Sequence, residues 1–349
     1  MHSASTAEAA LRAVLPRYGI EETAEVSLVK YRENHVYRVT DASGRDYAAR
    51  IHRVGYRSTA QLDTEANYLL ALAGRGLRVP RLLPTTDGAA NVAHGSGGQQ
   101  VVIDLQDWID QAAPMGDIAL ALDGDRTLAE SDFHALGGEL GKLHVACQRI
   151  GVPGWFARGA WDAAGLAGPA PLWGDPAKLP SLDGAQREAI GHAMAALRAR
   201  LAALPVDAEC FGVIHADLTP ENVLVSHGEP TLIDFDDFGT GWHLFDLVTV
   251  LFFYTRHPLL AEYRRGLEAG YRAQRPQLPA GFFEPWEDLL LARGLTYLGW
   301  AAERHGDEEA TFIETRVVPV VMQLIGQYQP AQRQPSQTPA NAPANGGRP

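Results

Sequence analysis

The spacing of apolar positions changes partway along this chain, and that change divides it. In residues 26–31, 35–41 and 46–53 ("VSLVKY", "HVYRVTD", "DYAARIHR") apolar and polar side chains run in strand-like stretches. Ala42, Ser43, Gly44 and Arg45 join the last two, and a Gly available for positive φ makes that break a hairpin turn. A short helix is expected before them, in "ALRAVLPRYGI". In "STAQLDTEANYLLALAGRG", Leu62, Ala66, Leu69, Leu70 and Ala73 fall at helical spacing, and the region of Gly74 and Gly76 ends the pattern. Further strands are expected at about 89–94 and in "QQVVIDL". Residues 107–130, rich in Asp, Pro and Gly, read as a connector. Beyond it the period is helical. Phe133, Leu136, Leu140, Leu143 and Cys147 make one stripe, and Ile190, Met194, Leu197, Leu201 and Leu204 another. Helices are expected again at about 243–256, 260–274, 284–304 and 309–328. Residues 151–185, dense in Gly, Pro, Ala and Trp, promise little regular structure, and the Pro/Gln/Ala-rich stretch 329–349 is expected to be disordered. There is no internal repeat. The outline is α+β: a small β-rich lobe over 1–106, a hinge and connector over 107–130, and an α-rich lobe over 131–328.

Bulk properties narrow the function more than the fold. The 349 residues suffice for one large domain or two lobes. A net charge of −12 gives no reason to expect nucleic-acid binding, which rests on Lys and Arg neutralising phosphates. No run approaches the roughly 20 apolar residues of a membrane span. The first residues lack the basic start and long apolar core of a signal peptide. Cys147 and Cys210 do not make a disulfide framework. A cytoplasmic protein with neither nucleic acid nor membrane as partner is expected.

The chemistry gathers in "VIHADLTPENVLV", residues 213–225, and in "LIDFDDFG" after a hairpin-like break at "SHGEP". Asp217 and Asn222 stand five residues apart, the separation of Asp and Asn in the protein-kinase catalytic loop. Phosphoryl transfer from ATP needs a carboxylate to orient the attacking hydroxyl, oxygen ligands for Mg²⁺, and a cation on the phosphates. Asp217 suits the first task. Asn222 and Asp234 suit the second, brought together by a hairpin between 222–226 and 231–235. Taken alone, "DLTPEN" is equally good turn chemistry. Asp234, Asp236 and Asp237 lie within four positions, and such carboxylates repel one another unless a cation sits among them. Asp236 is either a second metal ligand or a substrate contact.

The β-rich part supplies the cation. In "DYAARIHR" alternation puts Ala48 and Arg50 on one strand face, a small residue and a cation two apart, as in the kinase V-A-I-K strand but with Arg for Lys. Glu65 sits on the apolar stripe of its helix, where a charge needs a partner or water, and Arg50 is the expected partner. The first strands are joined by "KYRENHVYRV", which has no Gly-rich loop; Asn34 could offer its amide to phosphates. "GGELGKLH" fails as a phosphate loop because its spacing is wrong and Leu143 stands where Ser or Thr is needed; His144 reads as a core histidine. Asp246, inside an apolar run, is either a first-turn helix acid or a buried acceptor for the backbone of the 215–217 turn.

On these residues the chain resembles the aminoglycoside phosphotransferase/choline kinase-like family, which has a bilobal protein-kinase-like fold. The motif H-G-D-x-H-x-x-N corresponds to "HADLTPEN", the metal motif to "LIDFDD", and the following D-L to Asp246 and Leu247. The resemblance spans roughly residues 10–328. It implies Asp217 as catalytic base, Asn222 and Asp234 on Mg²⁺, and "LQDWID" with Gln106 and Trp108 as the adenine hinge. It gives His215 and Asp246 structural roles. Ala216 departs from the usual Gly, and Thr219 from a frequent His. The nearest branches are the bacterial stress-response Ser/Thr kinase and the homoserine-kinase-type enzymes.

The resulting expectation is an ATP- and Mg²⁺-dependent kinase acting on the hydroxyl of a small molecule. A Ser/Thr protein kinase on the same machinery and a nucleotide-binding regulatory module without turnover are its rivals. The acceptor is chosen by the α-rich lobe, which the shared motifs do not describe.

Overall fold

Residues 4–31, 34–95 and 100–328 are described by the structure, a computed structural model. Arg32 and Glu33 of the first strand connection, and the segment 329–349 expected to be disordered, lie outside them.

The first sheet has strands β1 (Glu25–Tyr31), β2 (His35–Thr40), β3 (Asp46–Ile51), β6 (Val101–Asp107) and β4 (Leu82–Leu83) in that spatial order, with β5 (Val92–His94) also on β6. Cross-strand partners share a face. Ala49 stands opposite Tyr37 on one side and Leu105 on the other, and all three are buried with Leu11 of helix α1 (Ala4–Val14) and Leu15. The opposite face therefore carries Val36, Arg50 and Asp104 in one row and Arg38, Ala48 and Gln106 in the next.

Helix α2 (Thr59–Ala73) starts on a capping box, in which Ser58 and Gln61 each accept the other's backbone N–H. Leu62, Ala66 and Leu69 are buried as the stripe predicts, but Leu70 is 52% exposed. Ala66, Tyr68, Leu69 and Leu72 of α2 join the large helical core rather than the one beneath the sheet.

The connector 107–130 is less irregular than its composition suggests. It holds β7 (Ala113–Pro114) and α3 (Ile118–Leu122), while 151–185 holds β8 (Ala160–Trp161) and α5 (Ala163–Ala167). Elements of two to five residues leave no period to read. Around them lie α4 (Glu130–Ile150), α6 (Gly184–Leu201), β9 (Phe211–Ile214), β10 (Val223–Ser226), β11 (Glu229–Leu232) and β12 (Gly239–Trp242). Then follow α7 (His243–Leu251), α8 (Leu260–Gln274), α9 (Trp286–Ala302), α10 (Glu308–Phe312) and α11 (Val318–Gln327). The helix expected over 243–256 tightens to a 3₁₀ turn at Phe252–Tyr254, and a π turn at Ile313–Val317 separates α10 from α11.

Two features of this part position the site. Helices α4 and α8 touch backbone to backbone: a Cβ on Gly270 would lie 2.0 Å from the carbonyl oxygen of His134. Strands β10 and β11 form a tight hairpin, whose turn residues His227 and Gly228 both have positive φ, 53° and 80°. Both cysteines are buried and free, and no helix among the described residues is long and apolar enough to cross a membrane.

Candidate active site

Strand β9 ends in a turn held from below by one buried carboxylate. Asp246, in the first turn of α7, accepts the backbone N–H of His215 at 2.8 Å and of Ala216 at 2.7 Å. His144 stands 3.0 Å from the same carboxylate and is itself 2.8 Å from the Tyr271 hydroxyl, so the close α4–α8 packing bears on the turn. The His215 ring lies 2.9 Å from the carbonyl of Ile233, which ties the turn to the strand beyond the hairpin. Ala216 has φ +68° and is fully buried, a left-handed conformation usually left to glycine.

This turn presents Asp217, whose side chain keeps 24% of its surface. One oxygen is paired with Arg293 of α9, a fully buried guanidinium that also donates to the carbonyl of Ala216 at 3.0 Å. Asn222 donates its amide N–H to the carbonyl of Asp217 at 2.9 Å, which leaves the amide oxygen for another partner. Burial lifts the Asp217 carboxyl to about 7; Arg293 pulls it down, while Asp237 and Asp234 push it up.

Across the hairpin, Ile233 donates its N–H to the carbonyl of Asn222 at 3.0 Å, setting Asp234 beside that residue. Asp234 also has left-handed backbone, with φ +64°. Asp236 and Asp237 then part company. Asp237 accepts from Arg57 at 2.5 Å and from the Trp173 indole at 3.0 Å. Asp236 is buried, and neither of its oxygens accepts a hydrogen bond among the described residues; Arg57 Nε stands 3.7 Å away. Burial lifts its carboxyl to about 7, helped by Asp237, Glu65 and Asp234 against Arg57. Among the described residues no three His, Cys, Asp or Glu side chains are arranged to hold a metal by themselves.

The roof is the polar face of the first sheet. Arg50 pairs with Glu65 at 2.7 Å and also forks onto Asp104, directly opposite on β6, at 3.0 and 2.8 Å. The second Glu65 oxygen takes Arg158 at 3.0 Å, and His52 lies 2.6 Å from Asp104. Burial disfavours the charge on both acids, but Arg50, with Arg158 at Glu65 and His52 at Asp104, holds their pKa values below the ordinary range. With its amide turned so that the oxygen faces Arg50, Gln106 accepts a further N–H at 3.0 Å. Arg158 also donates to the Asp236 carbonyl at 2.6 Å, linking roof to floor.

Between roof and floor lies a cleft of about 810 Å³. Asn34, Ala48, Arg50, Gln106 and Trp108 line it from the roof side, and Asp217, Asn222, Asp234 and Asp236 from the floor. Glu65, His215 and Asp246 are buried behind its wall. Sequence reading missed Asp104, Arg158 and Arg293. Two of these carried a signal: Asp104 interrupts the apolar strand "VVIDL", and Arg293 the apolar helix "LLLARGLTYLGW".

Comparison with known proteins adds to this geometry. The sequence matches the family model described as phosphotransferase enzyme family over residues 28–281. It is 26% identical over 257 residues to amicoumacin kinase of Bacillus subtilis (strain 168), covering 72% of this chain and 70% of that protein. Among solved structures it superposes on a microcompartment-associated aminopropanol kinase with a TM-score of 0.76 at 25% identity, over 90% of this chain and 94% of that one. It shares the fold of the amicoumacin kinase hAmiN, solved with AMP-PNP, Ca²⁺ and Ami, with a TM-score of 0.72 at 19% identity, over 95% and 97% of the two chains.

Proposed function

Because this chain belongs to the phosphotransferase enzyme family, we propose that it is a cytoplasmic kinase moving the γ-phosphate of ATP, with Mg²⁺, to a hydroxyl of a small molecule. The observation that carries this reading is the meeting of Asp217, Asn222, Asp234 and Asp236 on the floor of one cleft, opposite Ala48 and Gln106. In it, residues 1–106 form the nucleotide lobe, 107–130 the hinge, and 131–328 the acceptor lobe.

Each residue then has a task. Asp217 accepts a hydrogen bond from the acceptor hydroxyl and takes its proton as the phosphoryl group transfers; Arg293 fixes that carboxylate through one oxygen, and the other, 3.4 Å from the Asn222 amide nitrogen, is the one turned to the substrate. Asn222 and Asp234 hold Mg²⁺ through oxygens, and Asp236, with two unmatched oxygens, joins them or faces the substrate. The metal, when bound, neutralises charge on the phosphate oxygens. Ala48 leaves room for adenine beside Gln106 and Trp108 at the hinge, and Asn34 offers its amide near the phosphates. Arg50 stays on the phosphate side of the roof, fixed by Asp104 and Glu65. The chain's part is mostly positioning and charge neutralisation.

The cleft volume lies in the range of small-molecule pockets. Its acceptor end combines Glu308 with Trp173, Tyr297 and Trp300, which supports an amine-bearing alcohol as acceptor. The test is transfer of label from γ-labelled ATP with Mg²⁺, offered a deproteinised metabolite extract and, separately, dialysed cell protein. Label reaching small molecules with wild type but not with Asp217→Asn is the expected result. Label on protein alone would replace this reading with a protein kinase, and nucleotide binding without transfer would replace it with a regulatory module.

A further inference from the structure

Among the described residues the cleft is lined by just two cations, Arg50 and Lys30, and they are not equivalent. The guanidinium of Arg50 is committed to Asp104 and Glu65, and Glu65 in turn to Arg158. Two cations and two carboxylates thus cancel within the roof, so little of the Arg50 charge remains for a triphosphate.

Lys30 reaches this face through an irregularity in its strand. Leu28 of β1 pairs with Tyr37, but Lys30 pairs with Val36, so Val29 is an extra residue, a β-bulge. In a regular ladder Val29 would stand opposite Val36, and Lys30 would point to the other face, because side chains alternate with period two. With the bulge, Lys30, Val36, Arg50 and Asp104 form one cross-strand row over the cleft. The Lys30 side chain is 43% exposed, and its Nζ lies 3.6 Å from Glu221, the residue before Asn222. The neighbouring strand connection, "KYRENHVYRV", contains no glycine that would let backbone N–H groups close over phosphates.

We propose that Lys30 is a catalytic residue in contact with the nucleotide phosphates, and that its ammonium supplies the charge that Arg50 has already spent on Asp104 and Glu65. Arg50 is then a positioning residue that fixes β3 to β6 and α2. This inference rests on the nucleotide reading above.

Its test needs no acceptor. Calorimetric titration of wild type, Lys30→Met and Lys30→Arg would use Mg·AMP-PNP, Mg·ADP and adenosine as probes. Lys30→Met should weaken AMP-PNP binding about tenfold or more, the usual scale of one charge-assisted phosphate contact, with adenosine unchanged. The loss for ADP should be smaller than for AMP-PNP. Lys30→Arg should recover most of the affinity. Because Lys30 is exposed, the Met variant should melt with the wild type. Unchanged AMP-PNP binding in Lys30→Met, or an equal loss for adenosine, overturns the assignment and leaves the kinase reading standing. Wild type that binds AMP-PNP no more tightly than adenosine overturns both.

Discussion

The roof and the floor of the cleft are both built from buried charge, on opposite rules. In the roof, Arg50 and Arg158 face Glu65 and Asp104, and all four carboxylate oxygens accept a donor. On the floor, Asp217, Asp234, Asp236 and Asp237 face, among the described residues, only Arg57 and Arg293 as paired cations. The acids respond accordingly. Those of the roof are held below the ordinary carboxylate range, whereas burial raises Asp217, Asp234 and Asp236. A matched set of charges holds two strands and a helix in register. An acid-rich set has more carboxylates than paired cations, and strongly perturbed groups in a cleft are candidates for function. The difference separates framework from chemistry without reference to any substrate.

The sharpest way to break this contrast is to neutralise one acid on each side. Asp217→Asn should lower kcat by roughly 10²–10⁴-fold, the scale of losing a positioned proton acceptor, with a stability cost smaller than that of the roof substitution below, because Asp217 keeps 24% of its surface and the Asn oxygen can still accept from Arg293. A stability loss as large as the rate loss would make Asp217 a framework residue.

On the roof the order should reverse. Glu65→Gln leaves Arg50 and Arg158 without a shared carboxylate in a buried place, and breaking such a pair costs about 3–5 kcal/mol. Chemical denaturation would read this directly. A cost under about 1 kcal/mol would mean that water reaches the pair and that the matched-charge description is wrong.

The two regions also differed in how far they could be read beforehand. The floor is local: Asp217, Asn222 and Asp234 lie within one turn and one hairpin, so the order of residues carries most of their geometry. The roof is not. Arg50 and Glu65 could be paired from a strand face and a helical stripe. Asp104 could not, because the register of β6 on β3 is written in neither segment alone. Arg293 reaches Asp217 from 76 residues away, and Arg158 comes from a stretch with no period. The helical lobe was legible in outline, and its short elements were not.

A smaller effect tests the floor by pH. The folded-state carboxyl of Asp236 is raised to about 7 from an ordinary value of 3.8, so the unfolded chain releases its proton first. The metal-free protein should therefore lose stability as pH rises between those values. Buried His144, His215 and His243, held below the usual histidine range chiefly by burial, act in the opposite sense, losing stability as pH falls. The informative quantity is the difference between Asp236→Asn and wild type. The variant should gain on the order of 1–3 kcal/mol at pH 7.5 relative to pH 5, and Mg·AMP-PNP should shrink that gain. A difference independent of pH would show that Asp236 is already neutralised within the chain.

The smallest effect expected is at Ala216, where glycine would have been the easier residue. Its left-handed φ costs an alanine about 1–2 kcal/mol. Ala216→Gly removes that strain but exposes two opposing terms. A glycine loses about 0.5–1 kcal/mol more backbone freedom on folding. The buried methyl is worth about 0.8 kcal/mol. The terms nearly cancel, so stability should shift by less than about 1 kcal/mol, with kcat within about threefold of wild type. The reason activity should survive is that the turn is fixed by the two N–H groups that Asp246 accepts, and both remain in the variant. A tenfold fall in kcat at unchanged stability would mean instead that the methyl group, packed beneath the turn, aims Asp217 at its substrate.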